Sequence, residues 1–265
     1  MGEGNALLEQ ALVKEVTALS EATPALVELV LFAPGCATQV QPGQFVHLAL
    51  PGESAPILRR PLSVYKANRE TGSITLLFQV VGEGTRLLSQ TRQGTELSIL
   101  GPLGRGWNPG GAARSLLIGG GVGAAPLFLL ACELLAHGAQ VDVVLGASSE
   151  PFLVCEGSFA QLCGAEHVSV TTDDGSRGLK GFVTQQAAEL LALHTYDYVA
   201  ACGPEPMLKA VVELAAHAGV FSEVSLERRM ACGIGACLSC VVDTTSGKKR
   251  ACADGPVFAG QEVCW

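Results

Sequence analysis

Short apolar runs separated by turns dominate the first part of the chain. Between about Lys14 and Ile99 the turns are Pro-Gly or Gly steps. Strands repeating at roughly ten-residue intervals are typical of an antiparallel β-barrel or sandwich. The runs are LVELVLFAPG, QPGQFVHLAL, ILRRPLSVYKAN, GSITLLFQVVG and GTELSILGPLG. We therefore predict a barrel domain over residues 1–111, which ends in the linker GRGWNPGGAA.

The pattern changes at Arg114, where strand-like runs begin to alternate with helix-like runs. The strands are SLLIGGG, AQVDVVLGAS, HVSVTTDDG, YDYVAACGP and FSEVSLE, and the helices are PLFLLACELLAHG, GFVTQQAAELLALH and EPMLKAVVELAAHAG. This alternation predicts an α/β domain with a parallel sheet over residues 112–226. Such sheets bind ligands beyond the carboxyl ends of their strands. The turns after SLLI and YDYVAAC are therefore the first places to look for a site.

The remaining segment, residues 227–265, is too short for an independent core and needs a metal to stabilise it. Its cysteines Cys232, Cys237 and Cys240 have C-x4-C-x2-C spacing, and Cys252 follows. This is the plant-type arrangement of ligands for a [2Fe–2S] cluster. We predict that these four thiolates hold such a cluster in a small C-terminal module.

Two other interpretations of the cysteines stay open at this point. A structural zinc site with four thiolates is one, although zinc usually takes two C-x2-C pairs. A set of buried or disulfide-paired cysteines without a metal is the other. Gly233 and Gly235 favour the cluster, because they let the backbone curl closely around it and leave amides free to point at its sulfurs.

Composition narrows the class of protein. The 265 residues are 48% hydrophobic with 32 glycines, which indicates compact structure in about two or more domains. A net charge of -8 argues against nucleic acid or an anionic membrane as a partner. The start MGEGNALLEQ does not resemble a signal peptide, and glycines and a proline interrupt the longest uncharged stretch, 116–132. Ten cysteines without an export signal predict a reducing compartment, the cytoplasm.

Two turns at strand ends predict a nucleotide site. The first reads as G-x-G-x-x-A where a strand meets a helix, so bare backbone can approach a pyrophosphate. Its glycines are Gly119, Gly120, Gly121 and Gly123. The second, CGPEPM, places prolines at the start of a helix and begins with Cys202, Gly203 and Pro204. Taken singly, the first could be a tight packing connection and the second a plain strand exit.

With RPLS at 60–63 and MACGIGACLSC at 230–240, these motifs resemble those of the ferredoxin reductase superfamily. Within it the chain is similar to the electron-transfer subunits of NAD-dependent dihydroorotate dehydrogenase B, over essentially its whole length. The resemblance implies a flavin-binding antiparallel barrel, a nicotinamide-binding α/β domain and an appended iron-sulfur module. FAD, a [2Fe–2S] cluster and NAD are the cofactors it implies.

The flavin site is predicted from two residues and extended by the resemblance. Arg60 offers a cation and a planar fork for a pyrophosphate, and the Ser63 hydroxyl can reach the polar edge of a flavin ring. On their own these could be ordinary strand residues. The resemblance adds Pro61, Leu62, Leu77, Phe78, Gln79, Gly84 and Thr85. Leu62 is a departure, because many ferredoxin reductases carry an aromatic residue there to stack on the flavin.

The resemblance also implies a division of labour. A separate FMN-containing catalytic subunit would oxidise dihydroorotate to orotate in pyrimidine biosynthesis, and electrons would travel through the cluster and FAD to NAD+, in a heterotetramer of two plus two chains. In agreement, the sequence shows no constellation of nucleophile, base and acid, and its five histidines are scattered. The rival is the small subunit of an NADH-dependent ferredoxin:NADP oxidoreductase or sulfide dehydrogenase. A redox-sensing or zinc-stabilised binding module represents a different class.

Nucleotide preference is predicted from the end of AQVDVVLGA. The next residues are Ser148, Ser149 and Glu150, and no arginine follows nearby in the sequence to meet a 2′-phosphate. An acidic residue at this position favours a ribose 2′-hydroxyl, so we expect NAD rather than NADP.

Overall fold

The structure, a computed structural model, describes residues 6–20, 22–50, 52 and 56–265. The strands are β1 Leu7–Ala18, β2 Leu26–Phe32, β3 Phe45–Leu48, β4 Arg60–Asn68, β5 Ser73–Gln79, β6 Glu96–Leu103, β7 Arg114–Gly120, β8 Gln140–Ala147, β9 Val168–Thr172, β10 Leu179–Lys180, β11 Tyr198–Cys202, β12 Phe221–Ser225, β13 Val241–Thr244, β14 Gly247–Arg250 and β15 Val257–Ala259. The α-helices are α1 Pro34–Gln39, α2 Glu83–Ser89, α3 Phe128–Ala136, α4 Glu156–Cys163, α5 Val183–Leu193 and α6 Glu205–His217.

The first six strands form the predicted antiparallel barrel. Their order is β1-β2-β5-β4-β3-β6, and the barrel closes because β1 pairs with both β2 and β6. Strand β1 begins well before the apolar pattern at Lys14 that marked the start of the predicted zone. The pattern is weaker there because Glu9 and Gln10 interrupt it, and pairing with β6 from Leu7 to Leu12 makes this segment a strand.

Alternation along the strands gives the barrel two faces. Val46, Val64 and Leu76 point into its core, because they belong to the buried cluster that fills the barrel. Their sequence neighbours Phe45 and Leu77 point outward and pack into the cores of the rest of the molecule. One outer face of β3, β4 and β5 is therefore the surface against which the other parts of the chain are built.

The α/β region is the predicted parallel sheet with one addition. Its strand order is β10-β9-β8-β7-β11-β12-β15, and only β15 runs antiparallel to its neighbour. Strands β7 and β11 are adjacent, with Cys202 opposite Gly119. The two turns selected from the sequence therefore lie side by side at the carboxyl edge of the sheet. Helix α4 and strand β10 were not among the predicted elements.

The C-terminal segment is wedged between the barrel and the sheet. Strands β13 and β14 form a hairpin, and β15 joins the α/β sheet beside β12. On the barrel side, the amide of Arg105 donates a hydrogen bond to the carbonyl of Gly255. The module therefore touches both larger domains. In the described part of the chain, no helix is long and apolar enough to cross a membrane.

Candidate cofactor sites

The β13–β14 hairpin brings two of the four cysteines together. Cys240 immediately precedes β13 and Cys252 follows β14, and the facing pair Val241 and Arg250 fixes the register between them. The sulfur atoms of Cys240 and Cys252 lie 3.2 Å apart, and both side chains are buried. The amide of Ala251 donates a hydrogen bond to the Cys240 carbonyl at 2.9 Å, which holds this arrangement.

The other two cysteines form a second, more exposed pair on the loop before the hairpin. Hydrogen bonds from Ser239 and then from Cys232 lower the pKa of the Cys237 thiol to about 6. A [2Fe–2S] cluster has two irons and four thiolates, so two sulfur pairs suit it. The arrangement by pairs favours the cluster over a single zinc ion.

The backbone around the cysteines also fits a cluster. Gly233 and Gly235 have φ values of +73° and +80°, so the predicted tight curl of the loop is present. The Gly235 amide donates a hydrogen bond to the Cys252 sulfur at 3.1 Å. Burial, and then the neighbouring Cys240, raise the pKa of Cys252 to about 12. The Cys252 thiol can ionise readily only beside a positive group, and the irons of a cluster would supply one.

The predicted flavin residues come together at one end of the barrel. Arg60, at the start of β4, lays its guanidinium against Gly84 at the start of α2, where any Cβ would collide with it. Thr85 closes the first turn of α2, because its hydroxyl accepts hydrogen bonds from the amides of Val81 and Gly82 at 3.0 and 3.2 Å. A cation and a helix start are thus juxtaposed, as binding of a pyrophosphate requires.

Strand alternation separates the remaining flavin residues into two groups. Ser63 is the register partner of outward-facing Phe45, and Gln79 lines a cavity outside the barrel. Leu62 and Phe78 instead pack with the barrel core, so their side chains point away from that face. We find that only their backbone is available to a cofactor on the outer face. Leucine at position 62, where many ferredoxin reductases have an aromatic residue, therefore contributes no side chain to the outer face.

The nucleotide turns border a cavity of about 840 Å³ that opens between the barrel and the sheet. Packing explains three of the four glycines. A Cβ at Gly119, Gly120 or Gly123 would lie 2.6 to 2.7 Å from its nearest neighbour, respectively Ala124, Met207 and Cys202. Gly121 differs, because its φ is +55° and nothing lies within 4 Å of the Cβ position. Close packing thus brings both turns together, and the bare backbone of Gly121 faces the cavity.

Sequence reasoning missed Glu227, which also lines the cavity. Burial raises the pKa of the Cys202 thiol, and so does the charge of the neighbouring Glu227. It follows β12 in sequence and carries no motif of its own. Only the pairing of β12 with β11 places it beside the second nucleotide turn.

Comparison with known proteins agrees with this geometry. A model of the iron-sulfur cluster binding domain of dihydroorotate dehydrogenase B matches residues 227–264, and a model of the oxidoreductase NAD-binding domain matches residues 117–213. The dihydroorotate dehydrogenase B (NAD(+)) electron transfer subunit of Desulforamulus reducens is 42% identical over 238 residues, 88% of this chain and 90% of that one. The subunit of the same name from Bacillus caldolyticus is 42% identical over 84% of this chain and 86% of that one. The chain belongs to this family.

Among solved structures, that of an NADH-dependent reduced ferredoxin-NADP oxidoreductase superposes with a TM-score of 0.86 at 32% identity, covering 100% of this chain and 92% of the other. The cytochrome b5 reductase domain of Ulva prolifera nitrate reductase, at 17% identity and a TM-score of 0.65, shares the fold. The predicted family, the fold class and the cofactors FAD, [2Fe–2S] and NAD are therefore confirmed. The assignment of individual residues to those cofactors stays a prediction.

One part of the argument for NAD needs correction. No arginine follows Glu150 closely in the sequence, but the fold brings Arg177 near it, within reach of its charge. The guanidinium of Arg177 is held by Glu156, however, with an Nη2–Oε1 distance of 2.7 Å. Ser148 and the acidic Asp173 line the cavity on this side. A 2′-phosphate would therefore meet carboxylates rather than a free cation.

We expect a higher kcat/KM with NADH than with NADPH. The Glu150→Gln variant should have a smaller ratio between these two values. Removing one carboxylate near the 2′-phosphate of NADPH should relieve roughly 1 kcal/mol of repulsion. This corresponds to about a fivefold change in the ratio of kcat/KM values. Steady-state reduction of a dye with each nucleotide measures the ratio. Glu189→Gln, on α5 outside the cavity lining, is the matched control. Equal kcat/KM values for the two nucleotides in the unaltered protein would rule out this preference.

Proposed function

We propose that this chain is the electron-transfer subunit of an NAD-dependent dihydroorotate dehydrogenase. The main observation behind this proposal is that the four cysteines form two pairs, Cys232 with Cys237 and Cys240 with Cys252. They lie in a module that contacts both a flavin-type barrel and a nucleotide-type sheet. When bound, the cluster and FAD carry electrons from an FMN-containing catalytic subunit, which oxidises dihydroorotate in pyrimidine biosynthesis, to NAD+. The chain's own residues bind and orient these groups.

We assign the residues as follows, on the contacts described above. The four cysteines ligate the cluster, with the Gly235 amide directed at one ligand sulfur. Arg60, beside Gly84 and Thr85, receives the FAD pyrophosphate, and Pro61, Ser63, Leu77 and Gln79 form the face toward the flavin, with backbone from Leu62 and Phe78. NAD binds in the cavity over the nucleotide turns, whose residues are Gly119, Gly120, Gly121, Gly123, Cys202, Gly203 and Pro204.

We further propose the division into an FAD-binding domain 1–111, an NAD-binding domain 112–226 and a cluster module 227–265. The barrel ends with β6 at Leu103, and β12 ends at Ser225, which supports both boundaries. The strand β15 crosses the second boundary by joining the α/β sheet. A cytoplasmic location is proposed from the ten unpaired thiols.

The rim of the cluster loop is the surface we propose for the catalytic subunit. Cys237 is exposed there, flanked by two apolar side chains, Ile234 and Leu238, which are 57% and 63% exposed. Leu238 has a φ of +58°, which a leucine rarely adopts. Exposed apolar groups beside a redox ligand fit a docking surface that must exclude water and shorten the electron path. The proposed assembly has two chains of each kind.

Polar substitution on this rim should slow electron transfer from the catalytic subunit. We expect Ile234→Ser and Leu238→Asn to reduce the dihydroorotate-dependent rate about tenfold at limiting partner concentration, because central apolar contacts each contribute more than about 1 kcal/mol. Asn also tolerates the left-handed backbone at position 238. Iron content and NADH oxidation by dyes check that the cofactors are retained.

Leu193→Ser provides the control, because Leu193 is 73% exposed at the end of α5, outside the cluster loop. If the rim variants and this control lose the same fraction of partner-dependent activity, the rim does not bind the catalytic subunit.

A second candidate function has a specific observation behind it, the 32% identity and full coverage of the NADH-dependent reduced ferredoxin-NADP oxidoreductase structure. That protein is an NADH-dependent reduced ferredoxin-NADP oxidoreductase with the same fold. Co-purification of the native protein separates the two, because a dihydroorotate-oxidising FMN subunit supports the first function and any other partner supports the second. Iron and acid-labile sulfide analysis, with a visible spectrum, excludes a zinc-stabilised module if both elements are present.

A further inference from the structure

One buried histidine has no partner for either ring nitrogen. His47, on β3, is 0% exposed, and neither Nδ1 nor Nε2 forms a hydrogen bond within the described residues. Buried polar groups are nearly always paired, because an unpaired one loses its hydration without compensation. An imidazole ring carries at least one N–H donor, so His47 brings an unpaired donor into the interior.

The register of β3 places this ring between the two redox sites. His47 pairs with Pro61 of the flavin motif, and alternation puts it on the same outer face as Phe45. Phe45 packs in the buried cluster that also contains Cys240 and Cys252. The intervening Val46 points the other way, into the barrel core. The face that carries His47 is thus the contact surface between the barrel and the cluster module.

The ring touches the loop that carries the first cluster ligand. A Cβ on Gly233 would lie 2.5 Å from Nδ1 of His47, so the imidazole occupies the space that any other side chain would need. The φ of +73° at Gly233 independently favours glycine.

We propose that His47 is a positioning residue for the cluster: its Nδ1–H is directed at the Cys232–Gly233 turn, fixes that turn against the barrel and raises the reduction potential of the cluster. This rests on the proposed cluster ligands. Reduction adds one negative charge to the cluster, so a donor aimed at its ligand loop stabilises the reduced form more than the oxidised form. The histidine thereby makes the cluster a better electron acceptor from the catalytic subunit.

Three substitutions test which nitrogen acts. The amide nitrogen of Asn is two bonds from Cβ, as Nδ1 is, whereas Gln reaches toward the Nε2 position and Leu has no donor. We expect His47→Asn to keep the midpoint potential of the cluster, measured by redox titration followed by electron paramagnetic resonance. His47→Leu and His47→Gln should lower this midpoint potential by about 59 mV. For one electron this corresponds to a tenfold shift of the reduction equilibrium toward the oxidised cluster.

Val46→Ala is the matched control, because Val46 is the fully buried neighbour on the opposite face of the same strand. It should lower thermal stability and leave the potential unchanged. If His47→Leu does not fold, the Asn and Gln variants decide the question between them. Wild-type potentials in all His47 variants, or an equal shift in Asn and Leu, would overturn the proposal. Failure of the ligand assignment is distinguishable, because Cys232→Ala would then retain its iron.

Discussion

Replacing Cys252 by Ala is expected to abolish the iron-sulfur absorbance and to unfold the C-terminal module. The Cys252 sulfur is buried, lies 3.2 Å from that of Cys240 and accepts a hydrogen bond from the Gly235 amide. A short segment with a single two-stranded hairpin has little core of its own, so much of its folding free energy comes from the metal. Iron and sulfide should fall from two of each per chain to near zero, a loss that follows from the cluster stoichiometry. The same result is expected at Cys232, Cys237 and Cys240.

Cys264→Ala is the control for this experiment, because Cys264 is exposed and lies outside the cluster loop. It should leave the visible spectrum, the iron content and the melting temperature unchanged. Full iron content in the Cys252→Ala protein would contradict the ligand assignment.

Replacing Arg60 by Ala is expected to release FAD from the purified protein. The guanidinium packs on the start of α2 and is the cation that we assign to the pyrophosphate. Hydrogen bonds to charged groups contribute about 1.5–3 kcal/mol, so FAD should bind about 10- to 100-fold more weakly. Arg60→Lys should recover only part of this, because a lysine cannot reproduce the planar fork. Titration of the apoprotein with FAD, followed by flavin fluorescence, measures the affinity.

Two further variants sharpen the FAD test. Gly84→Ala keeps the arginine but displaces its side chain, so it should weaken FAD binding as well. Arg86→Ala removes an exposed cation from the same helix, whose guanidinium donates a hydrogen bond to Gln90, and should leave binding unchanged. Unaltered FAD affinity in both Arg60→Ala and Gly84→Ala would exclude the pyrophosphate role.

The sequence was most informative where structure depends on local pattern. The barrel and the parallel sheet were predicted from periodicity and turn residues, and the structure confirms both. The cluster module was predicted from the cysteine spacing. Strands β10 and β15 escaped prediction because they have only two and three residues, and their existence depends on neighbours supplied by distant segments. The short β15 is a strand because β12 offers it an edge.

The sites show the same limit. The turns at Gly119 and Cys202 could be found from their residues, but their contact depends on the adjacency of β7 and β11. Glu227 and His47 carry no local signal, since each becomes part of a site only through strand pairing. Phe78 shows the same dependence, because strand alternation points its side chain into the barrel core and leaves only its backbone for the predicted flavin contact.

The division of labour between this chain and a catalytic subunit is the central claim. We assign the described motifs to FAD, nicotinamide or a cluster, and dehydrogenation of dihydroorotate needs a base and an FMN site that we place in the partner. The most direct test is to supply dihydroorotate and NAD+ to the purified chain, first alone and then with the FMN-containing subunit, and to measure orotate and NADH. We expect the chain alone to oxidise NADH with artificial acceptors but to form no orotate, and the mixture to form orotate and NADH in equal amounts. Orotate formation by the chain free of any partner would contradict the account.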